Sequence, residues 1–227
     1  MISYKRLGAL SGILNSILAA LFFIAGIFTP ARGGPFCTSS CIAYPYVSGL
    51  SQYVPNDYLW MIPPFFLGPA FAFLIACVNQ RTSEEKKTFS ILALAFAVVC
   101  SVLIMTDYFV QWTVVIPSIL SGQTEGLTLF SQYNPHGLLV SLESLGYLIM
   151  TAAYLLVAAV ISGGRLGNSI RWVSVASFSL AVGLFVSFAL LHYDIGYFEV
   201  AVITIISVES ILNGALLSVY FRREAQL

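Results

Sequence analysis

The sequence predicts an all-α, polytopic membrane protein: a bundle of six transmembrane helices with both termini in the cytoplasm. Of its 227 residues, 59% are hydrophobic and only 9% are charged. Six apolar stretches each come near the roughly 20 residues that a helix needs to cross about 30 Å of hydrocarbon. They cover approximately residues 7–29, 58–79, 88–111, 137–162, 172–193 and 199–221. Helices are expected because lipid offers the backbone no hydrogen-bond partners.

The basic residues predict which side of the membrane each loop occupies. Arg32 lies in a loop that would face outward. The other Lys and Arg residues precede the first span, follow the last, or lie between spans two and three and spans four and five. Cytoplasmic loops carry the excess of Lys and Arg, so both termini are predicted inside. The same distribution supports a multi-pass protein of the cell membrane.

The chain is expected to form one membrane domain over residues 1–227. Lys5 and Arg6 resemble the charged start of a signal peptide. The apolar run after them is too long, however, and no A-x-A-like cleavage site follows, so the first span is expected to be retained. The predicted cytoplasmic loops are too short to hold a soluble domain. The lipid bilayer is the expected partner, and a formal net charge of zero argues against nucleic acid.

The first outer loop, residues 30–57, is long and rich in Gly, Pro and Tyr, and we expect it to cap the bundle. Cys37 and Cys41 lie in this loop on the oxidising side of the membrane, which favours a small structural disulfide. A redox-active pair is the alternative. Cys77 and Cys100 fall inside spans and are expected to pack as small hydrophobic residues. No metal site is predicted, because no outer His or Cys residues lie at ligand spacing.

Prolines and one asparagine predict several helix boundaries. Pro63 is expected near the start of the second helix, because proline fits the first helical turn. Pro117 is expected to end or kink span three. The second outer loop, residues 112–135, contains short apolar stretches that suit an interfacial or re-entrant position. Asn134 and Pro135 are predicted to be the N-cap and first residue of span four.

Three ionisable residues, Asp107, Glu143 and Glu209, lie inside predicted spans. An ionisable group costs roughly 2.5–3.5 kcal/mol at the centre of a membrane helix, so such residues usually face a protein interior or a wet cavity. Other polar residues share a helix face with them or lie at span ends. Together they form the predicted ligand-binding set: Glu143, Asp107, Glu209, Gln111, His136, Tyr147, His192 and Asn213.

Several of these residues also have a plainer interpretation. Asp107 lies within about one turn of the predicted end of its span, so snorkelling to the interface explains it as well as a cavity does. His136 and His192 suit the headgroup level at span ends. Glu209 and Asn213 share a helix face and suit hydrogen bonding between helices.

We expect Glu143 and Asp107 to converge. They are predicted at similar depth in the outer half of the membrane, and exposing them to lipid would be costly. Convergence would create a pocket open to the outside. Apolar walls with a few placed polar groups suit a small amphipathic or lipid-like ligand. Glu143 lies too deep to snorkel and is the strongest candidate anchor.

Three other functions are left open by the sequence. A membrane-embedded enzyme would use Glu143 or Glu209 as an acid or base. A proton-coupled carrier is disfavoured by the scarcity of polar residues in the predicted inner half. An accessory subunit of a membrane complex would use these carboxyls structurally, and a homo-oligomer is also left open. No catalytic residue is identified and no cofactor is expected. A retinal-type lysine is not found in any predicted span, since the lysines lie at 5, 86 and 87.

Four stretches in the second half of the chain carry a resemblance to known sequences. They are QWTVVIPS (111–118), GLTLFSQYNPHG (126–137), LESLGY (142–147) and FEVAVIT (198–204). Residues 107–204 as a whole resemble a group of prokaryotic six-helix integral membrane proteins of unknown function. The resemblance implies six spans and no particular substrate.

Overall fold

Regular secondary structure in the described part of the chain is entirely helical. The computed structural model describes residues 4–161, 163–192 and 194–225. Its helices are α1 (Tyr4–Phe28), α2 (Ile62–Arg81), α3 (Lys87–Val110), α4 (Ile116–Leu120), α5 (Leu138–Val160), α6 (Gly164–Leu191) and α7 (Ile195–Ala225). Six helical segments in these residues are long and apolar enough to cross a membrane. The prediction of an all-helical chain with six helices able to span a membrane is therefore confirmed, and these helices indicate a multi-pass membrane protein.

The third membrane span is longer than the sequence predicts. α3 continues directly into a π-helical turn, Gln111–Val115, and then into α4. The helix does not end at Pro117, which lies in the first turn of α4. The π-helical turn just before it changes the backbone hydrogen-bond pattern, with the Ile116 N–H bonded to the Gln111 carbonyl, and this change accommodates a residue that lacks an N–H donor. The spanning segment therefore ends at Leu120, well beyond residue 111, and Asp107 lies inside it rather than near its end.

The starts of the other helices are predicted with mixed success. α2 begins at Ile62 with Pro63 in its first turn, as predicted. α6 begins at Gly164 rather than near residue 172, and α7 begins at Ile195 rather than near residue 199. The first turns of α6 are polar and contain Arg165. An apolar stretch therefore marks the part of a helix that suits hydrocarbon, and the helix itself extends further.

The predicted N-cap of span four is wrong. α5 begins at Leu138, and the N-cap residue is Gly137 rather than Asn134. The Asn134 side chain instead closes a turn before the helix: its oxygen accepts the His136 backbone N–H (3.0 Å), and its nitrogen donates to the Thr128 carbonyl (2.9 Å). Glycine is required at 137, because an added Cβ would lie 2.9 Å from the Asn134 carbonyl oxygen.

α1 and α7 pack antiparallel and come closest where two glycines meet. A Cβ added to Gly12 would lie 2.6 Å from the carbonyl oxygen of Gly214. Gly8 and Ser16 lie one turn to either side on α1, and Ser16 donates a 2.9 Å hydrogen bond to the Ile211 carbonyl. Small residues of this kind let membrane helices approach backbone to backbone.

α5 is the central helix and α6 is peripheral. α5 contacts α3, α6 and α7, and its large side chains Tyr147 and Tyr154 are fully buried. α6 packs on α5 and α7 and exposes apolar side chains such as Trp172 and Leu190. Exposed apolar side chains of this kind suit contact with lipid, because the hydrocarbon is as apolar as they are.

The connection between α1 and α2 forms a cap over one end of the bundle. Cys37 and Cys41 form a disulfide in it, as predicted. Ile42 and Leu50 from the same connection pack in an apolar cluster with Ile119 of α4. We call this end of the bundle the disulfide end. Gly196, at the start of α7, lies against Pro35 of the cap, whereas Gly8, near the start of α1, lies against Phe221 near the end of α7, so residues 4 and 225 both lie toward the opposite end.

Candidate functional site

Glu143 lies at the centre of a buried hydrogen-bond network near the disulfide end. The rise of α5 places it about 7–8 Å below the first residue of that helix. Its carboxylate accepts hydrogen bonds from the hydroxyl groups of Tyr108 and Tyr147 and from the side-chain amide of Gln132 (2.7 Å). Tyr147 lies one turn further along α5, Tyr108 comes from α3, and Gln132 comes from the preceding loop. These donors from three segments fix the orientation of the carboxylate.

Asp107, the neighbour of Tyr108 on α3, lacks a comparable set of hydrogen-bond donors. Its side chain is fully buried, and neither carboxylate oxygen accepts a hydrogen bond of ordinary geometry from the described residues, although the side-chain amides of Gln111 and Gln132 lie close enough to interact with it. It is close enough to Glu143 and Glu199 to interact with both electrostatically. Full burial favours the interior position over snorkelling to the interface. A buried, unpaired carboxyl is costly, so its position requires an explanation beyond packing.

Two glutamines connect this network to the loop before α5. The Gln111 side-chain amide, on the π-helical turn, donates to the Phe130 carbonyl (2.8 Å) and to the side-chain oxygen of Gln132 (3.3 Å). The hydroxyl of Ser131 donates to a backbone carbonyl of the cap. Gln132 is therefore held from both sides, with its oxygen toward Gln111 and its nitrogen toward Glu143.

A pocket of about 420 Å³ opens between α1 and α7 at the disulfide end. Gly26 of α1 lines it, and a Cβ added there would meet no atom within 4 Å. The two helices that touch at Gly12 are therefore separated at this end. Arg32, Gln132 and Glu199 supply polar or charged side chains to the wall. Most of the remaining lining is apolar and includes Phe22, Phe23, Ile27, Trp60, Val200 and Ile203.

The positive charge of Arg32 is neutralised within the cap by Asp57. Its Nε lies 2.8 Å from Asp57 Oδ2, and its guanidinium lies 3.8 Å from the centre of the Tyr53 ring. The hydrogen bond to Asp57 raises the pKa of Arg32 above its ordinary value, so this side chain stays charged. The Tyr133 hydroxyl also approaches Asp57 (3.4 Å), and burial raises the pKa of Tyr133, so its hydroxyl stays neutral.

Glu199, on the α7 wall of the pocket, has no basic partner among the described residues. It is half-buried in the second turn of α7, and the described residues provide it with neither a hydrogen bond nor an ion pair. Its nearest electrostatic partners are other acids, Glu143 and Asp194. Gln132 lines the pocket and also binds Glu143. The pocket therefore borders an acidic cluster made of Glu199, Glu143 and Asp107, which we call the carboxyl cluster.

A second polar group lies deeper in the bundle. The Asn213 side chain donates to the hydroxyl of Ser174 (3.0 Å), and the Asn15 side chain donates to that of Tyr154 (3.0 Å). Glu209 is fully buried nearby and has no hydrogen-bond partner among the described residues. The interhelical bonds of Asn213 and Asn15 match a role in joining membrane helices.

The structure divides the predicted site residues into separate groups. Those at the disulfide end form one network around the carboxyl cluster, and those on α7 belong to the deeper polar group. The two histidines are exposed, and His192 ends α6 in a left-handed conformation. None of the predicted residues lines the pocket. The network at the disulfide end contains Asp107, Gln111, Glu143 and Tyr147. The deeper polar group contains Glu209 and Asn213. The exposed histidines are His136 and His192.

Sequence reasoning missed the residues that line the pocket. Glu199 begins the predicted sixth span, whereas α7 begins one turn earlier, at Ile195, so Glu199 lies in its second turn. Gln132 carried no local signal in the sequence. Gly12 belongs to a run of small residues at four-residue spacing on α1, a pattern typical of close helix contacts.

No cluster of three or more His, Cys, Asp or Glu side chains in the described residues could hold a metal ion.

Comparison of the chain with protein-family models, with curated proteins and with solved structures gives no match. The functional argument therefore starts from the geometry of the pocket and the carboxyl cluster.

Proposed function

We propose that this protein binds a small amphipathic or lipid-like ligand in the pocket between α1 and α7. The observation that carries the proposal is the pocket itself, with a volume of about 420 Å³ and mostly apolar walls. Ligand sites typically measure about 300–1,000 Å³ and combine apolar walls with a few placed polar groups. The polar groups here lie on opposite walls, Arg32 on the cap and Glu199 on α7, so a ligand is offered both apolar contact and polar anchors.

In this proposal the disulfide end faces the outside of the cell membrane, and both termini are cytoplasmic. Of the Lys and Arg residues, only Arg32 belongs to the cap, and it is paired with Asp57. The opposite end carries the basic residues of the termini and short loops, which matches the positive-inside rule. A disulfide in the cap suits an oxidising compartment. Cysteines introduced at residues 85 and 124 in separate variants should react with a membrane-impermeant maleimide on intact cells only at 124.

Acid–base chemistry on a membrane-dissolved molecule is the second candidate function. Its supporting observation is the closeness of Asp107, which has no hydrogen-bond partner in the described chain, to the fully hydrogen-bonded Glu143. An acid and a base must reach the same reacting atom. Neither carboxyl lines the pocket, so ligand binding is better supported. The proton-coupled carrier and the accessory subunit have no comparable supporting observation.

Two glycine substitutions test the proposed pocket. Gly26 and Gly183 are both helical, and a Cβ added to either meets no atom within 4 Å. Gly26 lines the pocket, whereas Gly183 lies exposed on the peripheral helix α6. Gly26→Phe should fill the pocket, and Gly183→Phe serves as the matched control.

The measurement is mass spectrometry of the small molecules that co-purify with each protein in mild detergent. We expect a defined amphipathic compound with the wild-type protein and with Gly183→Phe, and its loss from Gly26→Phe. Identical small-molecule profiles for all three proteins would contradict binding in this pocket.

A further inference from the structure

The acidic side chains around the pocket outnumber the basic side chains that could neutralise them. Arg32 is the basic residue of the lining, and its charge is matched by Asp57 at 2.8 Å. Glu199 faces the same space without a hydrogen bond or ion pair to any described residue. The neighbours that affect it most are Glu143 and Asp194, which are also acidic. The pocket therefore has an excess of acidic groups on its α7 side.

We propose that the ligand's head group is cationic, an ammonium or quaternary ammonium group held against Glu199. The inference rests on the proposed function and specifies the chemical class of its ligand. The head group would lie beside Glu199 and Gln132, with Glu143 and Asp107 behind them. The hydrocarbon part would lie along the apolar wall formed by α1 and α7.

Asp107 adds a supporting observation, through its closeness to Glu199. It is fully buried, and its oxygens accept no hydrogen bond of ordinary geometry in the described chain, where the amides of Gln111 and Gln132 are its polar neighbours. Its side chain lies close enough to Glu143 and Glu199 for electrostatic interaction. Like charges repel at short range, and the repulsion is stronger where water is excluded. A cation at Glu199 would reduce this repulsion, whereas an anion would increase it.

The aromatic lining fits the same ligand class. Trp60 and Phe22 both line the pocket, with ring centres 6.2 Å apart. Tryptophan is the best aromatic partner for cations, and aromatic side chains recognise quaternary ammonium groups in particular. A metal ion is a poorer candidate, because the described residues contain no cluster of three or more ligating side chains at suitable distances.

Trp60 also provides a local reporter of binding. The chain has three tryptophans, and replacing Trp112 and Trp172 with phenylalanine would leave Trp60 as the source of tryptophan fluorescence. In micelles of a non-ionic maltoside detergent, which has no ammonium group of its own, this protein would be titrated separately with dodecyltrimethylammonium, dodecanol and dodecyl phosphate. The three probes share a twelve-carbon chain and differ in the charge of the head group.

We expect dodecyltrimethylammonium to bind at least about tenfold more tightly than either other probe, as one ion pair in a partly dry site can provide. Glu199→Gln should remove this preference and leave dodecanol binding unchanged. Glu199→Asp, which keeps the charge, should retain most of it. Glu125→Gln removes an exposed acid at the same end of the bundle and should have no effect.

Two results would overturn the cationic head group. One is equal binding of dodecyltrimethylammonium and dodecyl phosphate, and the other is an equal effect of Glu199→Gln and Glu125→Gln. Gly26→Phe separates this failure from failure of the proposed function. If Gly26→Phe abolishes binding of all probes while Glu199→Gln has no effect, the pocket stands and the head group is wrong. If Gly26→Phe changes nothing, the pocket itself is wrong.

Discussion

Replacing Gly12 with alanine tests the helix contact that sets the shape of the pocket. The new Cβ would lie 2.6 Å from the Gly214 carbonyl oxygen, whereas ordinary contacts begin at 3.4 Å, so α1 and α7 must separate locally by about 0.8 Å. A gap of 0.5–1 Å removes roughly a quarter to a half of the dispersion energy of each contact across it. Overpacking in a tight interior typically costs about 1–3 kcal/mol. Because backbone opposes backbone here, we expect about 2–3 kcal/mol.

Gly26→Ala is the matched control on the same helix. Its Cβ would meet nothing within 4 Å, and alanine is more favourable than glycine inside a helix by roughly 0.5–1 kcal/mol. Thermal unfolding in dodecyl maltoside measures both variants. At about 2–4 °C per kcal/mol for a chain of this size, Gly12→Ala should lower Tm by about 4–12 °C, while Gly26→Ala should leave it unchanged or slightly higher. Equal Tm values for the two variants would refute the close contact.

Three further predictions concern the network, the cap and the disulfide. Glu143→Leu leaves three donors without their acceptor and should reduce the free energy of unfolding by about 3 kcal/mol or more. Glu143→Gln should cost less. Equal Tm values for the two variants would contradict the network. Arg32→Gln leaves Asp57 without its ion-pair partner and should lower the free energy of unfolding by about 1–3 kcal/mol. Adding Asp57→Asn should recover part of this loss. A wild-type Tm for Arg32→Gln would argue against the ion pair. Cys37→Ser opens a short loop and should cost about 2 kcal/mol, and in the native protein Cys37 and Cys41 should react with a maleimide only after reduction.

The membrane spans could be predicted because their cause is local. A helix that crosses hydrocarbon needs a continuous apolar stretch, so the count of six follows from composition along the chain. Helix ends were less predictable, because turns at the membrane surface need not be apolar. α6 begins well before its apolar stretch, at Gly164. Asn134 has a strong capping preference, yet it bonds to Thr128, since a side chain can satisfy a turn as well as a helix end.

The site was only half predictable, for a related reason. Asp107 and Glu143 stand out because carboxyls are costly in hydrocarbon wherever the helices go, and the structure brings them within electrostatic reach of each other. The pocket depends instead on how α1 and α7 meet, although they lie at opposite ends of the sequence. Glu199 faces the pocket because the helices touch at Gly12 and diverge toward Gly26. Such a relation between distant segments leaves no periodic signal in either one.

The bundle contains two fully buried carboxyls without hydrogen-bond partners in the described chain, Asp107 and Glu209, and their surroundings differ. Glu209 lies with the deeper polar group and does not line the pocket. Asp107 interacts electrostatically with Glu199, which does line it. The cost of an unpaired buried carboxyl falls when an opposite charge approaches, and a cation bound beside Glu199 would act on Asp107, which interacts with Glu199. The same acidic residue type therefore suits a structural role in the middle of the bundle and a ligand-dependent one at the disulfide end.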